Sequence, residues 1–228
     1  PSRDPFIAAR FSKDDLIGKA ACKADLQRIF GLPARADVPL LAVISRLAEQ
    51  KGIDLVAESL DAILGLDTQF VLLGTGEPAL HEAFEAAKAR HPSRVGLKLG
   101  FDVGLSHKIE AGADMFLMPS RYEPCGLNQM YSLAYGTIPI VRATGGLDDT
   151  IQPFEPESGA GTGFKFAETS ADALLASVLE AVSLYQQREP WRRLIENAMA
   201  CDFSWNRSAK EYEALYHEIA SLRGAKRV

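Results

Sequence analysis

Six short apolar runs constrain this chain more than any other feature. They fall at residues 39–45, 70–73, 95–99, 115–118, 138–141 and 163–166, with stretches of helical spacing between most of them. The first, Pro39-Leu40-Leu41-Ala42-Val43-Ile44-Ser45, is continuously apolar instead of alternating. A strand of that kind is buried on both faces, as the strands of parallel sheets are. Strands and helices taking turns along one chain predict an α/β fold, a doubly wound, Rossmann-like parallel sheet of six strands. Right-handed crossovers then bring every strand's C-terminal end to one edge, where such sheets bind ligands. Helices are expected over residues 19–30, 53–64, 79–90 and 106–111, from a Ser170 cap to 185, and over 190–200 and 208–222. Ser12 and Asp15 have the spacing of a capping box before a short helical turn. Trp191, Trp205, Tyr212 and Tyr216 read as packing residues, and the basic tail 224–228 as a frayed end.

One stretch on that edge carries most of the chemistry: Pro119-Ser120-Arg121-Tyr122-Glu123-Pro124-Cys125-Gly126-Leu127-Asn128-Gln129. It follows the 115–118 run and precedes Met130, Leu133 and Ala134, which are spaced like the inner face of a helix. Gly126 to Asn128 are therefore expected to form the first helical turn. Strand, loop, helix is the arrangement that points free backbone N–H groups at an anion. Glu123 stands a few residues before that turn. A carboxylate beside an anion site suits a pocket that holds both a phosphate and a polyhydroxylic group. By pattern alone, Glu123 is equally well a solvated loop residue.

Arg46 and Lys51 flank the end of the first strand. A bidentate Arg fork and a Lys point charge suit a diphosphate; ordinary surface charge is the competing reading. Gly74-Thr75-Gly76-Glu77-Pro78-Ala79 fits the dinucleotide fingerprint, with Asp102 where a ribose-binding acid would stand. That fit is discounted, because Glu77 would lie unscreened beside a pyrophosphate and the pattern follows the second strand rather than the first. Its glycines are expected instead to let a loop pass close to a nucleotide. Phe101, at the end of the third strand, is placed to stack on a base, although a lone Phe more often packs in a core. His107 reads as a helix residue with a structural partner. Thr144-Gly145-Gly146 makes a tight loop where backbone can approach a sugar or phosphate. No His, Cys or Asp cluster in the sequence has metal-ligand spacing, so no metal is expected.

Composition removes several classes of function. With 47% hydrophobic residues the chain can bury a sizeable core. A net charge of −5 without a long basic run argues against nucleic acid or an anionic membrane as partner. Cys22, Cys125 and Cys201 are scattered and odd in number, which suits a reducing cytoplasm. No apolar run approaches membrane-spanning length, and no signal peptide is recognisable. The chain begins with Pro1 rather than Met, so it is expected to be a piece of a longer protein.

Glu123-Pro124-Cys125-Gly126-Leu127, followed by Tyr131, Gly136-Thr137 and Thr144-Gly145-Gly146-Leu147, resembles the bacterial glycogen synthases and plant starch synthases. These are retaining glucosyltransferases of the GT-B type, built from two Rossmann domains. The resemblance runs from about residue 4 to about 218, and only to the C-terminal half of that family. It implies transfer of glucose from ADP-glucose to the non-reducing end of an α-1,4-glucan, in the cytoplasm, or in a plastid if the source is a plant. By position it implies that Arg46 and Lys51 hold the diphosphate, that Phe101 lies against the adenine, and that Glu123 serves catalysis and the glucose hydroxyls. Cys125, Gly126 and Leu127 would lie beside the glucose, and Asn128 would contact phosphate. Tyr131 stands where many related retaining transferases carry a second Glu, as in the synthases. The resemblance also implies that no cofactor is needed and that the acceptor is held mainly by an N-terminal domain absent here. Residues 1–18 would then be linker and domain entry, 19–200 the nucleotide-sugar domain, and 201–228 a helix crossing back to the other domain. Two alternatives stay open on the residues: a catalytically silent nucleotide-binding module, and an NAD-dependent oxidoreductase using residues 74–79.

Overall fold

The computed structural model describes residues 1–225, with side chains as far as Ser221. Its centre is a six-stranded, wholly parallel sheet of strand order β3-β2-β1-β4-β5-β6. The strands are β1 (Leu40–Leu47), β2 (Gln69–Gly76), β3 (Val95–Leu99), β4 (Met115–Met118), β5 (Ile138–Arg142) and β6 (Phe164–Phe166). The helices are α1 (Ile17–Phe30), α2 (Ile53–Gly65), α3 (Pro78–Arg90), α4 (Val103–Gly112), α5 (Asn128–Ala134), α6 (Gly145–Thr150), α7 (Ala171–Tyr185), α8 (Arg188–Met199) and α9 (Trp205–Ala225). All six expected strands are present.

The two faces of the sheet are covered by different helices. Helix α2 packs against α3 and α7, while α1 packs against α4, and α5 against α4 and α8. Both faces are therefore apolar, which is why the strands read as continuous runs. Phe70, Phe84 and Phe116 are the largest side chains wholly inside, each contributing about 1.5–3 kcal/mol by burial.

Several local expectations are corrected. Ser12 and Asp15 exchange backbone hydrogen bonds of 3.0 and 3.1 Å instead of forming a capping box. The helix starts only at Ile17, so the Asp15 carboxylate is the group within reach, and it accepts the Ile17 N–H at 3.0 Å. Helix α4 begins three residues earlier than expected, because Asp102 caps it by accepting the Leu105 N–H at 2.9 Å. The residues read as a nucleotide-approaching loop, Gly74 to Gly76, are the last three of β2. A Cβ on Gly74 or Gly76 would strike the backbone oxygen of Ser45 or Leu47, so these glycines admit the neighbouring strand. Helix α5 starts at Asn128, and Gly126 lies outside it at φ 73°. Thr144 to Gly146 open the short helix α6, which the sequence did not announce.

The C-terminal region differs most. Trp191 is buried, but Trp205 is 87% exposed, and Tyr212 and Tyr216 are exposed beside it. Among the described residues, α9 packs extensively on no other element. Of the tail 224–228, Gly224 and Ala225 continue α9, and residues 226–228 lie outside the described residues. At the other end, Asp4 accepts from Tyr135 and lies 2.7 Å from the His107 Nδ1, which gives His107 its structural partner.

Behind α5 lies a buried polar layer. The Ser132 hydroxyl donates to Glu110 Oε2 at 2.8 Å. Burial pushes the Glu110 carboxyl from its ordinary 4.5 up to about 8, against the lowering by Ser132 and Lys19. The native state thus binds this proton more tightly than the unfolded chain does. The resulting stabilisation is complete below the ordinary carboxylate value and is lost as pH rises towards about 8. Burial holds Lys19 down at about 8, so its effect has the opposite sign and its window lies above that value. Replacing Glu110 by Gln should therefore flatten the fall in melting temperature between about pH 5 and pH 8. An identical slope for Glu110→Gln and the parent chain would contradict this assignment.

Candidate active site

The connections from β1 run towards β2, and those from β4 run towards β5, so the sheet order reverses between β1 and β4. The connections leave β1 and β4 in opposite directions, and a crevice opens at the C-terminal ends of the two strands. The β1–α2 turn brings Lys51 to one side of it and the β4–α5 loop brings Glu123 to the other. They meet: Lys51 Nζ lies 2.5 Å from Glu123 Oε2, across 72 residues of sequence. Glu123 is 7% exposed, and Ser120 Oγ also donates to its Oε2, at 3.3 Å.

Non-local hydrogen bonds hold this geometry. The Arg121 guanidinium forks onto both oxygens of Asp54 at 2.6 and 2.7 Å and donates to the Glu49 carbonyl at 2.8 Å. That contact holds the Asp54 carboxyl below the usual carboxylate range. The Arg121 N–H donates to the Gln50 carbonyl at 2.9 Å, so the two loops are joined through backbone as well. Arg142, at the end of β5, donates to the carbonyls of Ser120 and Arg121 at 2.8 and 2.6 Å. The Gly146 N–H donates to the Glu123 carbonyl at 3.0 Å. A Cβ on Gly146 would collide with the Cys125 carbonyl, so this contact requires glycine. Gln129 Nε2 gathers the Cys125 and Gly126 carbonyls at 2.9 and 3.1 Å.

The cleft so formed has a volume of ≈ 180 Å³. Arg46, Lys51, Glu123, Gly126, Leu127 and Asn128 all line it, with Ser45 and Ser120. A complete ligand pocket occupies roughly 300–1,000 Å³, so this is part of a larger site. Arg46 is exposed, and its Nη2 donates to Gln50 Oε1 at 3.2 Å. Asn128 Nδ2 donates to the Ile44 carbonyl at 2.9 Å, leaving its second amide hydrogen for a ligand. Phe101 and Cys125 do not line the cleft. Phe101 is 88% exposed just beyond β3 on the same edge, and the Cys125 thiol is exposed 3.4 Å from the Gly126 carbonyl. Among the described residues, no group of three or more His, Cys, Asp or Glu side chains could hold a metal ion.

Sequence reasoning missed Arg142, Asp54 and Ser120. Ser120 and Arg121 lay inside the central stretch without a role. Arg142 had a signal in its place at a strand end, but its carbonyl partners are legible only in three dimensions.

An open cleft at a parallel-sheet switch point carries two cations and a buried acid, an arrangement suited to an anionic ligand. Residues 27–200 match the family described as "Glycosyl transferases group 1". The chain belongs to that family. It is 58% identical to the glycogen synthase of Anaeromyxobacter dehalogenans (strain 2CP-C) over 96% of this chain and 46% of that one. It is 55% identical to glycogen synthase 1 of Geobacter metallireducens over 95% of this chain and 43% of that one. In structure it resembles the catalytic domain of starch synthase IV from Arabidopsis thaliana, solved with ADP and acarbose. The TM-score is 0.87 at 39% identity, over 97% of this chain and 46% of that one. The chain thus spans a little under half the length of these relatives. The synthase resemblance, the Rossmann-like sheet and the GT-B half-fold expected from sequence all hold.

The clamp between the two loops yields a test. Gly52, between Lys51 and α2, has φ 66°, and a Cβ there would collide with the Pro119 carbonyl. Gly52→Ala should destabilise the chain by about 1–3 kcal/mol in urea unfolding, from positive-φ strain and overpacking. A midpoint equal to the parent's would show that the turn and the Pro119 loop are not held together as described.

Proposed function

We propose that this chain is the C-terminal, nucleotide-sugar-binding half of an ADP-glucose-dependent α-1,4-glucan synthase. Its most direct support is the Lys51–Glu123 contact inside the switch-point cleft, formed by the motif that resembles the glycogen and starch synthases. The starch synthase relative solved with ADP and acarbose supports a nucleotide donor and a glucan acceptor.

On this reading Lys51 and Arg46 bind the diphosphate, Asn128 donates to a phosphate oxygen, and Phe101 stacks on the adenine. Glu123 accepts hydroxyls of the donor glucose. The bond between glucose C1 and the diphosphate oxygen breaks, with its electron pair leaving on ADP. The 4-hydroxyl oxygen of the glucan end bonds to C1 on the same face, and its proton passes to the departing phosphate oxygen. Retention follows from same-face attack. Preorganised cations stabilise the charge that develops on the diphosphate, a role for which no metal is required. The Glu123 carboxylate tolerates the positive character of the anomeric carbon. Gly126, Leu127 and Cys125 shape the sugar side.

The exposed stripe of α9 belongs to the same proposal. Trp205, Tyr212, Tyr216 and Ile219 lie on one helix that the rest of the described chain leaves uncovered. The remaining half of the enzyme would cover it and supply the acceptor site. The chain alone is therefore expected to bind ADP weakly and to transfer no glucose. The compartment would be the cytoplasm, or a plastid in a plant; no helix among the described residues is long and apolar enough to cross a membrane.

Two substitutions test the site by calorimetry with ADP. Lys51→Ala should weaken binding about 10- to 100-fold, the range of one hydrogen bond to a charged group. Glu123→Gln should bind ADP as tightly as the parent or more so, because Lys51 is then free of its acid. A Lys51→Ala variant with undiminished ADP affinity would remove Lys51 from the diphosphate site. Glucan elongation by the isolated chain would overturn the division of roles.

A further inference from the structure

One of the two buried lysines among the described residues coordinates no carboxylate and lies outside the cleft. Lys19, in the first turn of α1, is 8% exposed. Its ammonium is ringed by four oxygens: Ala111 O at 3.2 Å, Ala113 O at 3.0 Å, Tyr135 O at 3.0 Å and Thr137 Oγ1 at 2.9 Å. The Phe11 ring closes the remaining side, its centroid 5.6 Å from Nζ. None of the four oxygens belongs to a carboxylate. The nearby acids are engaged elsewhere, Glu110 with Ser132 and Asp114 with Lys23 at 2.6 Å.

The source of the carbonyls explains the arrangement. Ala111 and Ala113 end α4, and Tyr135 caps the end of α5. Carbonyls at helix C-termini lack intrahelical donors and carry the negative end of the helix dipole. Two such ends converge here on the start of β5, inside the protein, where water cannot satisfy them. The Thr137 hydroxyl also donates to the Ala113 carbonyl at 2.9 Å, and the Lys19 ammonium, which donates to all three helix-end carbonyls, supplies the rest. Burial lowers the Lys19 pKa only to about 8, so the cation persists at neutral pH.

Helix α5 has seven residues, too few to be stable without tertiary support. Its other end carries Asn128 and follows Leu127, both in the cleft wall. We propose that Lys19 is a positioning residue, a built-in cation filling a four-oxygen site between α4, α5 and β5, and that it sets the placement of Asn128 and Leu127 in the cleft. Truncating it leaves a vacant site for a small monovalent cation of ammonium type. The link to nucleotide binding rests on the function proposed above; the cation site does not.

The test uses Lys19→Ala and Lys19→Met in the whole chain, read by amide hydrogen exchange over residues 127–137. Both variants should exchange there about tenfold faster or more than the parent, with the strands of the sheet little changed. Ethylammonium chloride should restore protection in Lys19→Ala, and tetramethylammonium chloride at equal ionic strength should not. Lys19→Met, whose own side chain fills the arm's channel, should not respond to either. ADP affinity should fall and return in step with protection. Unchanged exchange in α5, an even rise throughout the sheet, or equal response to both amines would overturn the proposal. If neither variant folds in ordinary buffer, refolding yield of Lys19→Ala becomes the readout. Selective recovery with ethylammonium supports the built-in cation, and no recovery refutes it. Failure of the parent chain to bind ADP would count against the proposed function and leave the exchange result standing.

Discussion

The reversal of strand order between β1 and β4 is the constraint on which the rest depends. Helical connections cover both faces of a parallel sheet, and they must leave a gap where the winding changes direction. The chain places charge in that gap, among apolar side chains such as Ile53 and Leu117. Lys51 comes from one winding and Glu123 from the other, and their contact joins the two halves of the sheet at the ligand edge. A buried carboxylate without a partner would be strongly destabilising, so Glu123 requires a cation or a set of donors at all times.

Everything around that contact restricts its geometry. Arg121 and Arg142 are cations spent on structure: one forks onto Asp54 and the other collects loop carbonyls. Arg is suited to both tasks, since a planar fork reaches several oxygens at fixed angles. Gly52 and Gly146 let backbones approach more closely than any side chain permits. The short α5 is fastened at both ends, by Gln129 in its first turn and by Ser132 and the Lys19 carbonyl cage at its last. The loop bearing Glu123 is thus held from four elements, although it contains almost no regular structure of its own.

The strands were legible because burial on both faces writes an uninterrupted apolar run, and this survives in sequence without knowledge of neighbours. Arg46, Lys51 and Glu123 were legible as candidates because charge immediately after such a run must lie at the ligand edge. What the sequence hid were choices made by tertiary partners. Gly74 and Gly76 look like a phosphate loop until the β1 carbonyls beside them are seen, and then they are strand residues making room. Asp102 looks like a ribose acid and is a helix cap. Lys19 carries no local signal at all, because its four ligands come from residues 111 to 137. The aromatics of α9 looked like core residues for a sound reason, since helical spacing cannot tell which surface a stripe will meet.

The Lys51–Glu123 pair has a consequence for selectivity on the proposed reading. A diphosphate offers Lys51 more negative charge than one carboxylate does, so binding should draw the ammonium off Glu123. With ADP alone, Glu123 would then keep only the Ser120 hydroxyl while lying almost out of water. That unbalanced acid opposes binding of the bare nucleotide. ADP-glucose brings its own compensation, because sugar hydroxyls donate to the carboxylate that the phosphate has deprived of its cation. The two parts of the donor therefore support each other through one ion pair, and the product ADP, having lost its glucose, meets a site that again favours Lys51 on Glu123. On that reading, donor retention and product release would both follow from the same exchange of partners.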